Sequence, residues 1–161
     1  MTLPADSTPA RPTLVLASQS PRRAELLREA GLQPVVAKSK FVDDPAPPQG
    51  HEPLILAVEL ATKKATNVIV DPAWHRPVVI GADTISIGVD GRLLGQPQSR
   101  DEAREMIRGF LDQTHHMLTG VALWSPESDH QEVFADVAEV WLGKVSDETL
   151  EAYLATDLWR G

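Results

Sequence analysis

The 161-residue chain is 42% apolar and 24% charged, enough to bury a core in a single domain, and its lack of cysteine excludes disulfides and thiolate metal sites. Its net charge of -8 argues against a nonspecific nucleic-acid surface, which needs clustered Lys and Arg. No apolar run reaches the length of a membrane span, so neither a nucleic acid nor a membrane is an expected partner.

Residues 1–12, MTLPADSTPARP, are polar and proline-rich, without a basic stretch followed by an apolar one. They read as a flexible tail on a cytoplasmic protein, ahead of one domain over residues 13–161. The apolar run Thr13 to Ala17 predicts a strand, closed by Ser18, Gln19 and Ser20. Pro21 then suits the first position of a helix, with Ser20 as its N-cap. Arg22 and Arg23 fall on that first turn, where unpaired backbone N-H groups and the helix dipole already favour anions. The joint suits a phosphate, although arginines on a first turn are also common solvated surface.

Pro34 to Ala37 predicts a short strand, and residues 38–51 a proline-rich loop carrying Asp43 and Asp44. A helix follows, with Leu54, Val58, Ala61, Ala65 and Val68 on one face and Lys64 at its edge. Pro77 to Ala82 reads as an apolar strand. Thr84 to Gly88 then turns through Val89-Asp90-Gly91-Arg92 into Leu93-Leu94, with Asp83 between the two segments. Ser99-Arg100-Asp101-Glu102 has the capping-box pattern, ahead of Ala103, Met106, Ile107, Phe110 and Leu111 at helical spacing. His115 to Ser125 and Gln131 to Leu142 predict two long strands joined by a polar turn, and Ser146 opens a last helix. Strands interleaved with helices, plus hairpins, give an α/β fold with a mixed sheet and flanking helices.

Asp83 ends an apolar strand, where open α/β sheets gather ligand sites; it reads equally as a base, a metal ligand or a turn cap. Asp43 and Asp44 offer oxygen ligands for a hard cation, or a solvated acidic pair. Lys64 alone is an edge residue of a helix. His115 and His116 lack metal-ligand spacing, and Trp74, Trp124, Trp141 and Trp159 read as packing groups.

Taken together, LASQSPRRAELLREAGL, LATKKA, VIGADT, LLGQP before a capped helix, and HHMLTGVAL stand in the order found in Maf-like proteins. The chain resembles that family over nearly its whole length after residue 12. The resemblance implies the α/β fold shared with inosine-triphosphate pyrophosphatases, and hydrolysis of nucleoside triphosphates to monophosphate and diphosphate. The LASxSPRR form is similar to the branch acting on dTTP and UTP. It implies that Ser18, Arg22, Arg23 and Lys64 bind the triphosphate, and that Asp83 accepts a proton and holds a divalent metal cation, Mg2+ or Mn2+. Asp43 or Asp44 would answer to a loop carboxylate of the family.

Three departures bear on activity. Gln96, expected to face substrate, stands where the family has the lysine of GKP. Leu111-Asp112-Gln113-Thr114 replaces a Ser-Gly-Arg ahead of His115, with Gln113 in place of a second cation. The chain ends at Trp159-Arg160-Gly161, where the family continues into a glutamine-bearing KAG-Y-GIQG-like segment. That ending is expected to leave a sheet edge open and to favour a homodimer. A nucleotide-binding regulator with impaired turnover, or a truncated fragment, is the alternative reading.

Overall fold

Extended, β-rich segments followed by helices produce two parallel pairings before the chain turns to antiparallel hairpins. The computed structural model describes residues 11–42 and 50–160. The tail up to residue 10 and the loop aspartates Asp43 and Asp44 lie outside the described residues. Strand β1 (Leu14–Ala17) leads into helix α1 (Pro21–Glu29), which returns the chain to β2 (Val35–Ala37). Helix α2 (Pro53–Thr66) then precedes β3 (Val78–Ile87) and the two-residue β4 (Leu93–Leu94). Helix α3 (Arg100–Phe110) leads to the long hairpin β5 (Gln113–Ser125) and β6 (His130–Leu142), and α4 (Asp147–Leu154) follows. The strand order is β2-β1-β3-β5-β6, with β4 on β3; β1 runs parallel to β2 and β3, and the other pairs are antiparallel. The mixed α/β sheet expected from the sequence is therefore present.

Helix α2 lies directly on β3 and β5. A Cβ on Gly81 would come within 2.1 Å of the Ala61 carbonyl oxygen, and one on Gly120 within 2.3 Å of the Ala57 carbonyl carbon. Ala57, Ala61 and Ala65 are fully buried against these glycines. The buried face of α2 is Leu56, Ala57, Ala61 and Ala65, and Val68 just past its end joins the core as expected, whereas Leu54 and Val58 are only half-buried. Close backbone approach selects the smallest side chains, and an apolar-spacing count cannot distinguish that stripe from its bulkier neighbour.

Asp83 does not fall between two segments: β3 runs unbroken through it. Register with β5 from Val79↔Trp124 to Ile87↔His116 holds the strand across a residue of poor strand propensity. At the start of α3, Ser99 accepts from Glu102 N at 3.1 Å, but Glu102 reaches back to Gln98 N at 2.8 Å, one residue outside the usual capping box. The helix ends at Phe110, and Leu111 is already extended. Trp74 and Trp124 pack on the core and Trp159 is buried, whereas Trp141 is 66% exposed on β6 and is no packing group.

Helices α3 and α4 and a final 3-10 turn (Leu158–Arg160) form a side lobe around Ala103, Leu150, Leu154 and Trp159. Arg104 hydrogen-bonds Glu151 and, with Arg100, keeps that carboxyl below its usual range. No described helix is long and apolar enough to cross a membrane.

Candidate functional site

The carboxyl end of β1 is where the chain leaves the sheet and where α1 begins. Strand β1 pairs with β3 only as far as Leu16↔Ile80, while β4 joins β3 at Ser86 and Ile87. Between these pairings, residues 81–85 of β3 are laddered on one edge by β5. Their other edge has no ladder partner among the described residues just past the end of β1, the position where open α/β sheets take ligands.

Ser18 stands at the rim and is buried. Its hydroxyl oxygen accepts from Ser20 N at 3.2 Å and from Arg23 Nη1 at 3.3 Å. Ser20 occupies the N-cap position but makes no side-chain cap bond, so the serine that organises the turn is Ser18. Pro21 follows at the head of the helix, as expected. Arg22 is exposed on the same turn. Arg23 reaches across to β3, where Nη2 donates to Thr84 Oγ1 at 3.2 Å, and Thr84 Oγ1 lies 3.1 Å from Thr119 Oγ1 on β5.

On α2, Lys64 follows the alanine stripe and its ammonium donates to Asp83 Oδ1. Both side chains are close to nine-tenths buried, at 13% and 12% exposure. Gly81 faces α2, so the two-residue period of a strand puts Asp83 on that face and Thr84 on the opposite one. The dipeptide Asp83-Thr84 thus joins two clusters at one point of the sheet: Ser18, Arg23, Thr84 and Thr119 on one side, Lys64 and Asp83 on the other.

Gln96 is exposed and its side-chain amide donates to the Arg160 carbonyl, which ties the segment before α3 to the final turn. Thr84 and Thr119 escaped sequence reasoning. Thr84 was in view within VIGADT, but its pairing with Thr119 depends on a strand register that no local pattern reveals.

A divalent ion can be tested against this donor set. Among the described residues no three His, Asp or Glu side chains gather as a metal cage. Mg2+ commonly uses one or two carboxylates together with substrate phosphates and water. Asp83 fits an ion arriving with a polyphosphate.

His115 is buried, stacks on Phe110 with ring centroids 3.9 Å apart, and finds no hydrogen-bond partner for Nδ1 among the described residues. Burial, and then the neighbouring His116, hold its pKa below the usual range.

Comparison with known proteins agrees with the motif order. A dTTP/UTP pyrophosphatase of Rhizobium meliloti is 33% identical over 152 residues, spanning 92% of this chain and 72% of the relative. The dTTP/UTP pyrophosphatase of Maricaulis maris is 36% identical over 163 residues, covering 100% of this chain and 74% of its own. That of Symbiobacterium thermophilum is 40% identical over 143 residues, or 89% and 70% of the two chains. A family model described as Maf-like protein matches residues 13–161, which takes in the β1–α1 turn, Lys64, Asp83 and the β5–β6 hairpin. On these grounds the chain belongs to the Maf-like protein family.

Proposed function

We propose that the protein hydrolyses pyrimidine nucleoside triphosphates, dTTP and UTP, to the monophosphate and diphosphate. One observation carries this reading: the first turn of α1, with Ser18 and Arg23, meets the buried Lys64 and Asp83 pair at adjacent residues of β3. The relatives' activity, stated in their names, supports it. The helix start and the Arg22 and Arg23 guanidinium groups attract and orient the triphosphate chain. Lys64 bonds Asp83 in the unliganded site; when a polyphosphate enters, the ammonium is drawn toward it and the carboxylate is released. Asp83 then takes a proton from water as the water oxygen attacks the α-phosphorus. The bond from that phosphorus to the bridging oxygen breaks, and diphosphate leaves with the electron pair. A Mg2+ or Mn2+ ion carried in by the nucleotide and held by Asp83 would supply Lewis-acid polarisation of the phosphoryl group. Gln96 stands where the family has a lysine and its amide is taken up by the Arg160 carbonyl, which leaves the charge neutralisation to Arg22, Arg23 and Lys64. A cytoplasmic setting, where such nucleotides are made and used, fits the reading.

The test is diphosphate release from dTTP and UTP with Mg2+ present. Asp83→Asn preserves an acceptor for Lys64 and is expected to fold, to bind nucleotide, and to lose roughly 100- to 10,000-fold in kcat, the range for removal of a general base. Chelation of the divalent ion is expected to stop turnover of the parent protein. Full activity of Asp83→Asn would remove Asp83 as the base. Nucleotide binding without turnover by the parent protein would favour the regulator reading, for which the neutral Gln96 is the specific observation.

A further inference from the structure

Arg23 spans the distance from α1 to β3 and donates to two neutral hydroxyls, Ser18 Oγ and Thr84 Oγ1. A guanidinium only donates, so each of those oxygens must present a lone pair to it. Ser18 is constrained from a second side by the Ser20 amide. Thr84 is exposed, and a hydroxyl has a single proton that can rotate toward the guanidinium or away from it. Thr119 offers the Thr84 proton an acceptor. It is the register partner of Thr84 on the neighbouring strand, on the same face, with its Oγ1 3.1 Å away. If the Thr84 proton goes to Thr119, the lone pairs of Thr84 are left for Arg23, giving a directional chain from Arg23 to Thr84 to Thr119.

We propose that Thr119 is a positioning residue that acts through Thr84 to fix the orientation of the Arg23 guanidinium toward the substrate phosphates. The proposal rests on the nucleotide reading for its functional consequence, whereas the chain of hydroxyls is testable without substrate. A Thr-Thr pair across two strands also stabilises a sheet in its own right, so the test must separate orientation from stability.

The experiment compares Thr119→Val, Thr119→Ala and Thr119→Ser, alone and combined with Arg23→Ala. In the free protein, side-chain nitrogen NMR reads rotation about the Arg23 Nε–Cζ bond. Slow rotation in the parent protein and in Thr119→Ser, with fast rotation in Thr119→Val and Thr119→Ala, is the expected result. With UTP and Mg2+, Thr119→Val is expected to raise KM roughly threefold to tenfold with kcat little changed, and to add nothing once Arg23 is alanine. Unchanged Arg23 rotation in Thr119→Val and Thr119→Ala overturns the proposal, as does a KM effect that persists in full beside Arg23→Ala. A parent protein that does not hydrolyse UTP defeats the activity reading alone. The hydroxyl chain is then judged by the rotation measurement, with the same two outcomes.

Discussion

His115 shows how a single side chain ties stability to pH. Buried against Phe110 and held below its ordinary pKa, it is neutral in the folded protein under conditions where the unfolded chain has begun to bind a proton. The unfolded state therefore holds more protons just below about pH 6.5, and stability falls as the pH drops from there toward the lowered folded value. Above that window the group contributes no slope. We expect urea midpoints to decrease between about pH 7.5 and about pH 5.5, and His115→Phe to flatten that loss. An unaltered slope in His115→Phe would assign the acid sensitivity to other groups. The residue's type was plain in the sequence, but its burial was not: HHML looks like any half-polar strand start, and only the end of α3 brings Phe110 over the ring. Lys64 poses the same problem in reverse, since an edge lysine becomes a buried partner of Asp83 once β3 passes beneath α2.

At the scale of elements, helix α2 and strands β3 and β5 make a seat with no room for a further carbon at Gly81 or Gly120. The atoms in the way at Gly81 are the Ala61 oxygen, the Ala65 nitrogen and the Ala65 Cβ, mostly backbone that cannot rotate aside. Gly81→Ala is expected to cost about 1–3 kcal/mol or more, typical of overpacking, and to lower Tm by several degrees in a thermal melt. It should also reduce activity beyond what the stability loss explains, because lifting α2 carries Lys64 away from Asp83. A melt unchanged from the parent would show that the helix can shift freely. Much of this level was legible. The β1–α1 joint followed from Ser-Pro, the α3 start from Ser99 with Glu102, and the β5–β6 hairpin from two β-rich runs. Continuity of β3 through Asp83 was not legible, because it is enforced by a partner strand some 35 residues later, as the Thr84↔Thr119 register shows. Ala61, Ala65 and Val68 of the expected α2 stripe are buried, but its first turns bury Leu56 and Ala57 in place of Leu54 and Val58, because the close seat of Ala57 on Gly120 leaves little trace in apolar spacing.

For the molecule as a whole, the two ends of the sheet differ. At one end β2 is three residues long; at the other, β6 runs for 13 residues with its outer edge unpaired among the described residues. Val133, Phe134, Val137 and Trp141 are exposed along it, at 50%, 55%, 46% and 66%. Long apolar edges template further strands. The 161-residue chain is expected to self-associate as its concentration rises, and Phe134→Lys to shift light-scattering mass toward the monomer. Equal association by parent and variant would place the contact elsewhere. The tight seat of α2 has a different consequence for the centre of the sheet. Lys64 belongs to the helix that completes the core and Asp83 to the strand beneath it, so their separation is a property of the core itself. Parting them requires displacing α2 from the sheet, and the backbone amide of Asp83 is expected to exchange only through global opening, the slowest hydrogen-exchange class of a protein. In rising denaturant, the Lys64–Asp83 contact and the fold are expected to be lost in one transition.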